Sequence, residues 1–213
     1  MEYHDYDALI FDCDGTLVDS LYAHETAWIE VLETHGIPYT PQRMNELGGV
    51  PTVQTVEILA ADAGMEIDAV AVARDKERCF LALYPGSVSE VDPIAEIARR
   101  HHGARPMAVA TGSDTVIVEA MLAAVGLAEL FETVVGSGDV ARHKPAPDVY
   151  LEAAGRLNVE PGRCIAFDDA DGGLESARRA GMAVVDVRRI WQPAERLCTA
   201  GASARRDLTR QLG

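Results

Sequence analysis

The feature that most limits how this chain can fold is an apolar run that stops abruptly in acid: Ala8-Leu9-Ile10-Phe11-Asp12-Cys13-Asp14-Gly15-Thr16. Four apolar residues in succession read as a short strand buried on both faces, the pattern of a parallel sheet. Carboxylates two residues apart point to the same side for as long as the strand persists. Gly15 then lets the chain turn away at once. Polar groups at the carboxyl end of a strand in an open parallel sheet lie where such sheets bind ligands. Asp14-Gly15 alone would suggest only a turn, but an apolar strand running into Asp-x-Asp-Gly-Thr is far more specific.

A carboxylate can attack phosphorus and form an aspartyl phosphate. A second carboxyl group nearby can protonate the leaving oxygen and then deprotonate the attacking water. The first role needs Asp12 ionised and the second needs Asp14 protonated at the outset. Two close carboxylates resist ionising together, which favours such a split. A hard cation relieves the remaining repulsion, and Mg²⁺ suits oxygen ligands and phosphate.

The segment Asp12-Cys13-Asp14-Gly15-Thr16-Leu17-Val18-Asp19-Ser20 resembles the first motif of the haloacid dehalogenase superfamily, in its phosphatase branch. The resemblance implies Asp12 as nucleophile and Asp14 as general acid/base. The dehalogenases themselves need no acid at the second position, so Asp14 argues against that chemistry here.

A chain of 213 residues with a formal charge of −15 can bury a substantial core, as one large domain or a domain with an insert, and disfavours nucleic acid and anionic membranes as partners. The same charge opposes an anionic substrate at long range, so a phosphate ester requires local cations at the site. No apolar run reaches the roughly 18 residues of a membrane span. The acidic, polar start Met1-Glu2-Tyr3-His4-Asp5 does not read as a secretion signal. Four scattered cysteines, without a Cys-x-x-Cys pair, fit reduced thiols in a cytoplasmic protein.

After the first motif the period becomes helical. Leu21, Ala27, Trp28, Val31 and Leu32 share a face, and Gly36 can end the helix. A short helix over Gln42 to Leu47, a helix after Thr52, with that residue as its cap, and a third over Ala69 to Leu83 complete a helical stretch, broken at Tyr84-Pro85-Gly86. From Pro106 onward strands and helices alternate: strands at Pro106–Ala110, Thr133–Val135, Cys164–Phe167 and Ala183–Val187, and helices over Val116–Val125, Asp148–Leu157 and Leu174–Ala180. The expected fold class is α/β, a Rossmann-like doubly wound parallel sheet with an inserted helical cap. Residues 1–18 and 86–213 would form the core and 19–85 the cap. The tail after Arg188 is expected either to form one helix near Ala204 to Leu212 or to fray.

Other strand ends add to the site. Thr111-Gly112-Ser113 offers a hydroxyl and backbone N–H groups at a helix start, an anion cradle, although Ser113 or Asp114 can equally serve as a simple helix cap. The resemblance assigns Thr111 to a phosphoryl oxygen. Lys144-Pro145-Ala146-Pro147-Asp148 matches the superfamily's lysine motif, whose lysine stabilises charge on the nucleophile and the phosphoryl group. Phe167-Asp168-Asp169-Ala170-Asp171-Gly172-Gly173 resembles its acidic motif. The nearest branch usually carries Glu-Asp-Ser there; this chain has Asp168 for Glu and Ala170 for Ser. By position Asp169 binds Mg²⁺ directly with Asp12 and the backbone carbonyl of Asp14, and the shorter Asp168 reaches it only through water.

Asp19-Ser20, His24 and Trp28 follow the first motif at the spacing of the β-phosphoglucomutase subfamily. Within it, the run including Arg105-Pro106-Met107-Ala108-Val109 is most similar to bacterial fructose-1-phosphate phosphatases. His24 reads either as a helix histidine satisfied by hydrogen bonds or as a hinge and substrate-proximal residue, and Gly49 and Thr52 as cap residues facing the substrate.

The expected activity is Mg²⁺-dependent hydrolysis of a small phosphorylated metabolite, such as fructose 1-phosphate or 6-phosphogluconate, by a monomer. A phosphosugar mutase is the first rival. It needs a second phosphate site, for which the subfamily uses an arginine where this chain has Thr52. A phosphonatase would need a cap lysine; Lys76, beside Arg74, Glu77 and Arg78, reads as solvated. From another class, a phosphoryl-accepting regulatory module would also use strand-end carboxylates and a lysine.

Overall fold

A computed structural model describes residues 3–83 and 87–192. The helix expected near Ala204 to Leu212 and the boundary expected at residue 85 lie outside the described residues.

Among the described residues, five parallel strands form the central sheet: β1 (Ala8–Phe11), β4 (Met107–Ala110), β5 (Thr133–Val135), β6 (Cys164–Asp168) and β7 (Ala183–Asp186), in the spatial order β5-β4-β1-β6-β7. The chain starts at β1, steps outward through β4 to β5, then crosses back to β6 and β7 on the other side of β1. The order therefore reverses between β1 and β6, and at such a switch point the carboxyl ends of the strands open onto a crevice.

Alternate residues of the same strands divide between two cores, as the two-residue period of a strand requires. Leu9, Phe11, Met107, Val109, Ile165 and Phe167 belong to one, with Phe11 stacked on Phe167 at a centroid distance of 4.6 Å. Helices α5 (Asp92–His101) and α6 (Thr115–Ala124) cover that face with Ile94, Ala95, Ala98, Ile117, Val118 and Met121. The opposite face carries Ile10 and Val135 among Ala8, Ala108, Ala110 and Ala166, and receives α7 (Asp148–Arg156) and α8 (Asp171–Arg179) through Tyr150, Ala153, Ala154 and Ala177.

Between β1 and α5 the chain forms α1 (Leu21–Thr34), α2 (Pro41–Glu46), α3 (Thr52–Asp62) and α4 (Ala69–Leu83) around a core of their own, including Val31, Leu32, Ile37, Val56, Leu59 and Val72. Where the chain leaves for this insert and where it returns, β2 (Val18–Asp19) pairs antiparallel with β3 (Ser89–Glu90). Strands this short carry no period, and the sequence reading has none here. It also assigns nothing to α5, although Asp92-Pro93 at its start and Arg99-Arg100-His101 at its end are standard helix boundary chemistry. The cap of α3 is Pro51 rather than Thr52, which is the first helical residue. Among the described residues, no helix is long and apolar enough to cross a membrane.

Candidate active site

The register Phe11↔Phe167 places the next residues of β1 and β6 side by side, and the Asp12 amide donates to the Phe167 carbonyl at 2.8 Å. Asp12 and Asp168 thus meet at the switch point because their strands are paired in this register. Lys144, just before α7, reaches both: its Nζ donates to Asp12 Oδ1 at 2.7 Å and to Asp168 Oδ2 at 2.8 Å. All three side chains are buried. Burial alone would drive the ammonium towards its neutral form, but Asp12 and Asp168 outweigh that and hold Lys144 well above the usual lysine range. Burial pushes Asp12 up, Lys144 opposes the rise, and the carboxylates of Asp168, Asp169 and Asp14 add to it.

Asp169 faces the same point. Carboxylate oxygens of Asp12, Asp168 and Asp169 all lie within 4.8 Å of one another. Thr16 Oγ1 donates to Asp169 Oδ1 at 3.2 Å, yet burial and the adjacent Asp168 push the Asp169 carboxyl up to about 6. Gly15, at φ +80°, passes so close that a Cβ there would meet Asp169 Oδ2 at 2.4 Å. A side chain at position 15 would therefore close the acidic cluster. Three converging hard oxygen donors that repel one another fit a small divalent cation.

Asp14 does not share this direction. The strand ends at Phe11, so the alternation expected of Asp12 and Asp14 no longer holds, and Asp14 turns towards the helical insert. Its Oδ1 accepts from Ser20 Oγ at 2.6 Å and lies 2.9 Å from His24 Nε2; its Oδ2 accepts from Ser113 Oγ at 2.7 Å. Burial would raise the Asp14 carboxyl, but His24 and these hydroxyls overcome it and hold Asp14 well below the usual carboxylate range.

Behind His24 stands Lys76, from α4, with Nζ 2.8 Å from His24 Nδ1. The solvated position expected for Lys76 is incorrect: it is 3% exposed, and its ammonium also lies 5.4 Å from the Trp28 ring centroid and 5.3 Å from that of Phe80. Val72, Ala73, Lys76 and Phe80 fall on one helical face, the buried one, while Arg78 on the same helix pairs with Asp75 at the surface. Burial lowers Lys76 to about 8, against the charges of Asp14, Glu77 and Cys79. A charged lysine can only donate, so Nδ1 accepts and Nε2 carries the ring proton that points at Asp14. The His24 ring is stacked on Phe80 at 4.1 Å.

On the other wall, the Thr111 amide donates to the Val135 carbonyl and Thr111 Oγ1 accepts from the Ser113 amide at 3.1 Å. Asp114, not Ser113, caps α6 by accepting from the Val116 amide. Gly112 lies beneath the insert: a Cβ there would meet the Gly49 carbonyl oxygen at 2.6 Å. Thr52 opens α3 just beyond Gly49-Val50-Pro51. Arg43 is engaged elsewhere, pairing with Glu46 and Asp62 on the insert's surface.

The structure therefore brings Asp12, Lys144, Asp168 and Asp169 into one cluster and Asp14, Ser113 and His24 into a second beside it. The sequence reading gives no role to Ser20, Thr16 or Tyr150, which bond to these acids. Tyr150 carried a signal: it shares the apolar face of α7 with Val149, Ala153 and Ala154, where a phenol hydroxyl must find a partner.

The chain is 42% identical to fructose-1-phosphate phosphatase YqaB of Escherichia coli K12, over 88% of this chain and 100% of that protein. It is 32% identical to validoxylamine A 7'-phosphate phosphatase of Streptomyces hygroscopicus subsp. limoneus, over 85% of each. Among solved structures it resembles CbbY of Rhodobacter sphaeroides in complex with phosphate, with a TM-score of 0.75, 26% identity and coverage of 84% of both chains. Residues 6–181 match the model of one hydrolase family, and the chain belongs to it: the haloacid dehalogenase-like hydrolases.

Proposed function

We propose that this hydrolase is a Mg²⁺-dependent phosphatase of small sugar monophosphates, working through a phosphoryl group carried on Asp12. The observation that carries the reading is the lysine bridge: Lys144 joins Asp12 to Asp168 at the switch point, while Asp14, two residues on, is held apart among hydroxyls and His24.

The division of labour follows from these surroundings. Asp12 attacks phosphorus; the Oδ–P bond forms and the bond from phosphorus to the sugar oxygen breaks. Asp14 protonates that oxygen as it leaves. Water then attacks the phosphoryl group, Asp14 takes its proton, and inorganic phosphate departs from Asp12. In the arrangement seen, Asp14 is held in its base form, not the protonated form expected at the outset, because His24, Ser20 and Ser113 stabilise its charge; the base form is the one the second half-reaction needs. An approaching phosphate dianion favours its protonation. Lys144, the Thr111 hydroxyl and the Gly112 amide would face the phosphoryl oxygens and stabilise their charge, while the amides of Thr111 and Ser113 and the Ser113 hydroxyl bond within the protein.

Asp12, Asp169 and the backbone carbonyl of Asp14 would hold the cation. Bound there, Mg²⁺ neutralises the carboxylates and the phosphoryl oxygens. Asp168 already accepts three hydrogen bonds from the protein, which leaves it an indirect part in holding the ion.

Helices α1–α4 act as the cap, from about residue 19 to 85. Contact of Gly49 with Gly112 and of His24 with Asp14 marks the surfaces on which it closes, excluding bulk water and reopening to exchange ligands. Two relatives named as phosphatases of phosphorylated carbohydrates or their analogues support a sugar phosphate as substrate. The protein is proposed to act in the cytoplasm, as a monomer, on a small metabolite rather than on nucleic acid or at a membrane.

A panel of sugar and sugar-acid monophosphates, assayed for phosphate release with Mg²⁺, tests the reading. Fructose 1-phosphate or 6-phosphogluconate should be turned over many times per protein, and Asp12→Asn should abolish release while the protein still melts cooperatively. Undiminished release by folded Asp12→Asn would falsify the aspartyl-phosphate route.

A further inference from the structure

Tyr150 has no part in the chemistry above, yet it is fully buried directly against it. Its hydroxyl donates to Asp168 Oδ2 at 2.6 Å, the same oxygen that accepts from Lys144 at 2.8 Å. Its ring lies under the lysine, with Nζ 5.1 Å from the centroid. The other oxygen, Asp168 Oδ1, accepts from the Ala170 amide at 2.9 Å. The backbone of α8 closes the remaining side, because a Cβ at Gly173 would stand 1.9 Å from Asp168 Oδ2. Asp168 is thus enclosed by a lysine, a phenol, an amide and a glycine, at 1% exposure.

The tyrosine differs from the other donors in what it brings. It satisfies a lone pair of a buried carboxylate without adding charge. Lys144 has to be shared, at 2.7 Å from Asp12 and 2.8 Å from Asp168. Without the phenol, Asp168 Oδ2 has only the ammonium left to bond, and it draws Lys144 away from Asp12. We propose that Tyr150 is a positioning residue: its hydroxyl fixes the short side chain of Asp168 so that Lys144 remains divided between Asp168 and the nucleophile. The inference rests on the phosphatase reading and adds a residue to it.

Geometry makes this testable by compensation. Tyr150→Phe removes one oxygen beside Asp168 Oδ2 and keeps the ring and its packing. Glutamate is longer than aspartate by one methylene. In the native surroundings Asp168→Glu presses that extra length between the Tyr150 hydroxyl and Gly173; with Phe at position 150 the space is free. Each single change should therefore be harmful and the pair less so.

The experiment measures kcat and KM on a hydrolysed sugar monophosphate, Mg²⁺ affinity by calorimetry without substrate, and melting temperature, for the full chain and its Tyr150→Phe, Asp168→Glu and double variants. Tyr150→Phe is expected to melt like the native protein, keep its KM, and lose roughly 10- to 100-fold in kcat, the usual cost of removing an outer hydrogen-bond partner. Its Mg²⁺ affinity should fall by about 10-fold or more on the same ground. Asp168→Glu should lose as much, and the double variant should recover both quantities above either single variant. A purely structural tyrosine would lower the melting temperature without any rescue by the longer acid. Native kcat and Mg²⁺ affinity in Tyr150→Phe, or a double variant no better than the worse single one, would overturn the inference. A native protein that hydrolysed no ester would sink the phosphatase reading, and the calorimetric comparison would still decide the role of Tyr150.

Discussion

His24 Nε2 lies 2.9 Å from Asp14 Oδ1, and on the far side of the same ring Nδ1 lies 2.8 Å from Lys76 Nζ. One imidazole therefore joins an acid of the core to a lysine of the helical insert. Charge on Lys76, the ring tautomer of His24 and the hydrogen bonding of Asp14 are fixed together. Whether the insert sits in place then bears on the acid proposed to exchange a proton.

Lys76→Met should separate the two consequences of this chain. Catalysis should fall by about 10-fold or more, the scale on which lost proton-transfer support acts. Stability should change in the opposite sense. Folding lowers Lys76 from 10.5 to about 8, so between those values the unfolded chain binds more protons and native stability rises with pH. The full penalty for burying the charge is present below pH 8. The variant should therefore gain in melting temperature relative to the native protein at pH 7, and the gap should close as pH approaches 10. Parallel melts at pH 7 and 9.5 check this; a gap that widens with pH would show that Lys76 is not held charged against its burial.

The acidic cluster predicts metal dependence. Oxygens of Asp12, Asp168 and Asp169 lie within 4.8 Å of one another, and burial together with the charge of Asp168 pushes Asp169 up to about 6. EDTA should remove activity and Mg²⁺ restore it. Added Mg²⁺ should raise the melting temperature, following the linkage of ligand to the folded state. Asp169→Ala should weaken Mg²⁺ binding by at least about 10-fold and, without metal, melt no lower than the native protein, because one repelling charge is gone. Full activity in chelator would contradict the assignment.

Gly112 sets how closely the insert can approach. A methyl group at this position meets the Gly49 carbonyl oxygen at 2.6 Å, so in Gly112→Ala the backbone there must give way. A misplacement of about 1 Å near the reacting groups can cost on the order of 100-fold, and kcat/KM should drop accordingly with the melting temperature unchanged. Native kcat/KM in this variant would mean that the loop at Gly49 does not close on the substrate.

Much of this was legible from residue order. Ala8–Phe11 ending in Asp12, and Cys164–Phe167 ending in Asp168-Asp169, gave both the parallel sheet and the carboxylates at its edge, because fully buried strands are continuous apolar runs. What remained hidden depends on register and distance. Nothing local tells that Phe11 aligns with Phe167, which is what places Asp12 beside Asp168. The charged neighbours Arg74, Glu77 and Arg78 suggest a solvated Lys76, whereas the helical period groups it with Val72 and Phe80. The pairing of Val18-Asp19 with Ser89-Glu90 spans about seventy residues with two per strand, too few to show alternation. Tyr150 could be recognised as a buried phenol in need of an acceptor, but its partner lies on another strand.

Water, and not a second sugar phosphate, is proposed to take the phosphoryl group from Asp12. A mutase must hold the far phosphate of its substrate with a fixed cation in the cap, most readily a guanidinium. Here Thr52 stands where that arginine is expected, and Arg43 is paired with Glu46 and Asp62. Incubation with β-glucose 1-phosphate and a sugar bisphosphate primer, following free phosphate and glucose 6-phosphate together, measures the partition directly. Phosphate release with little glucose 6-phosphate is the predicted result; glucose 6-phosphate formed much faster than free phosphate would contradict it.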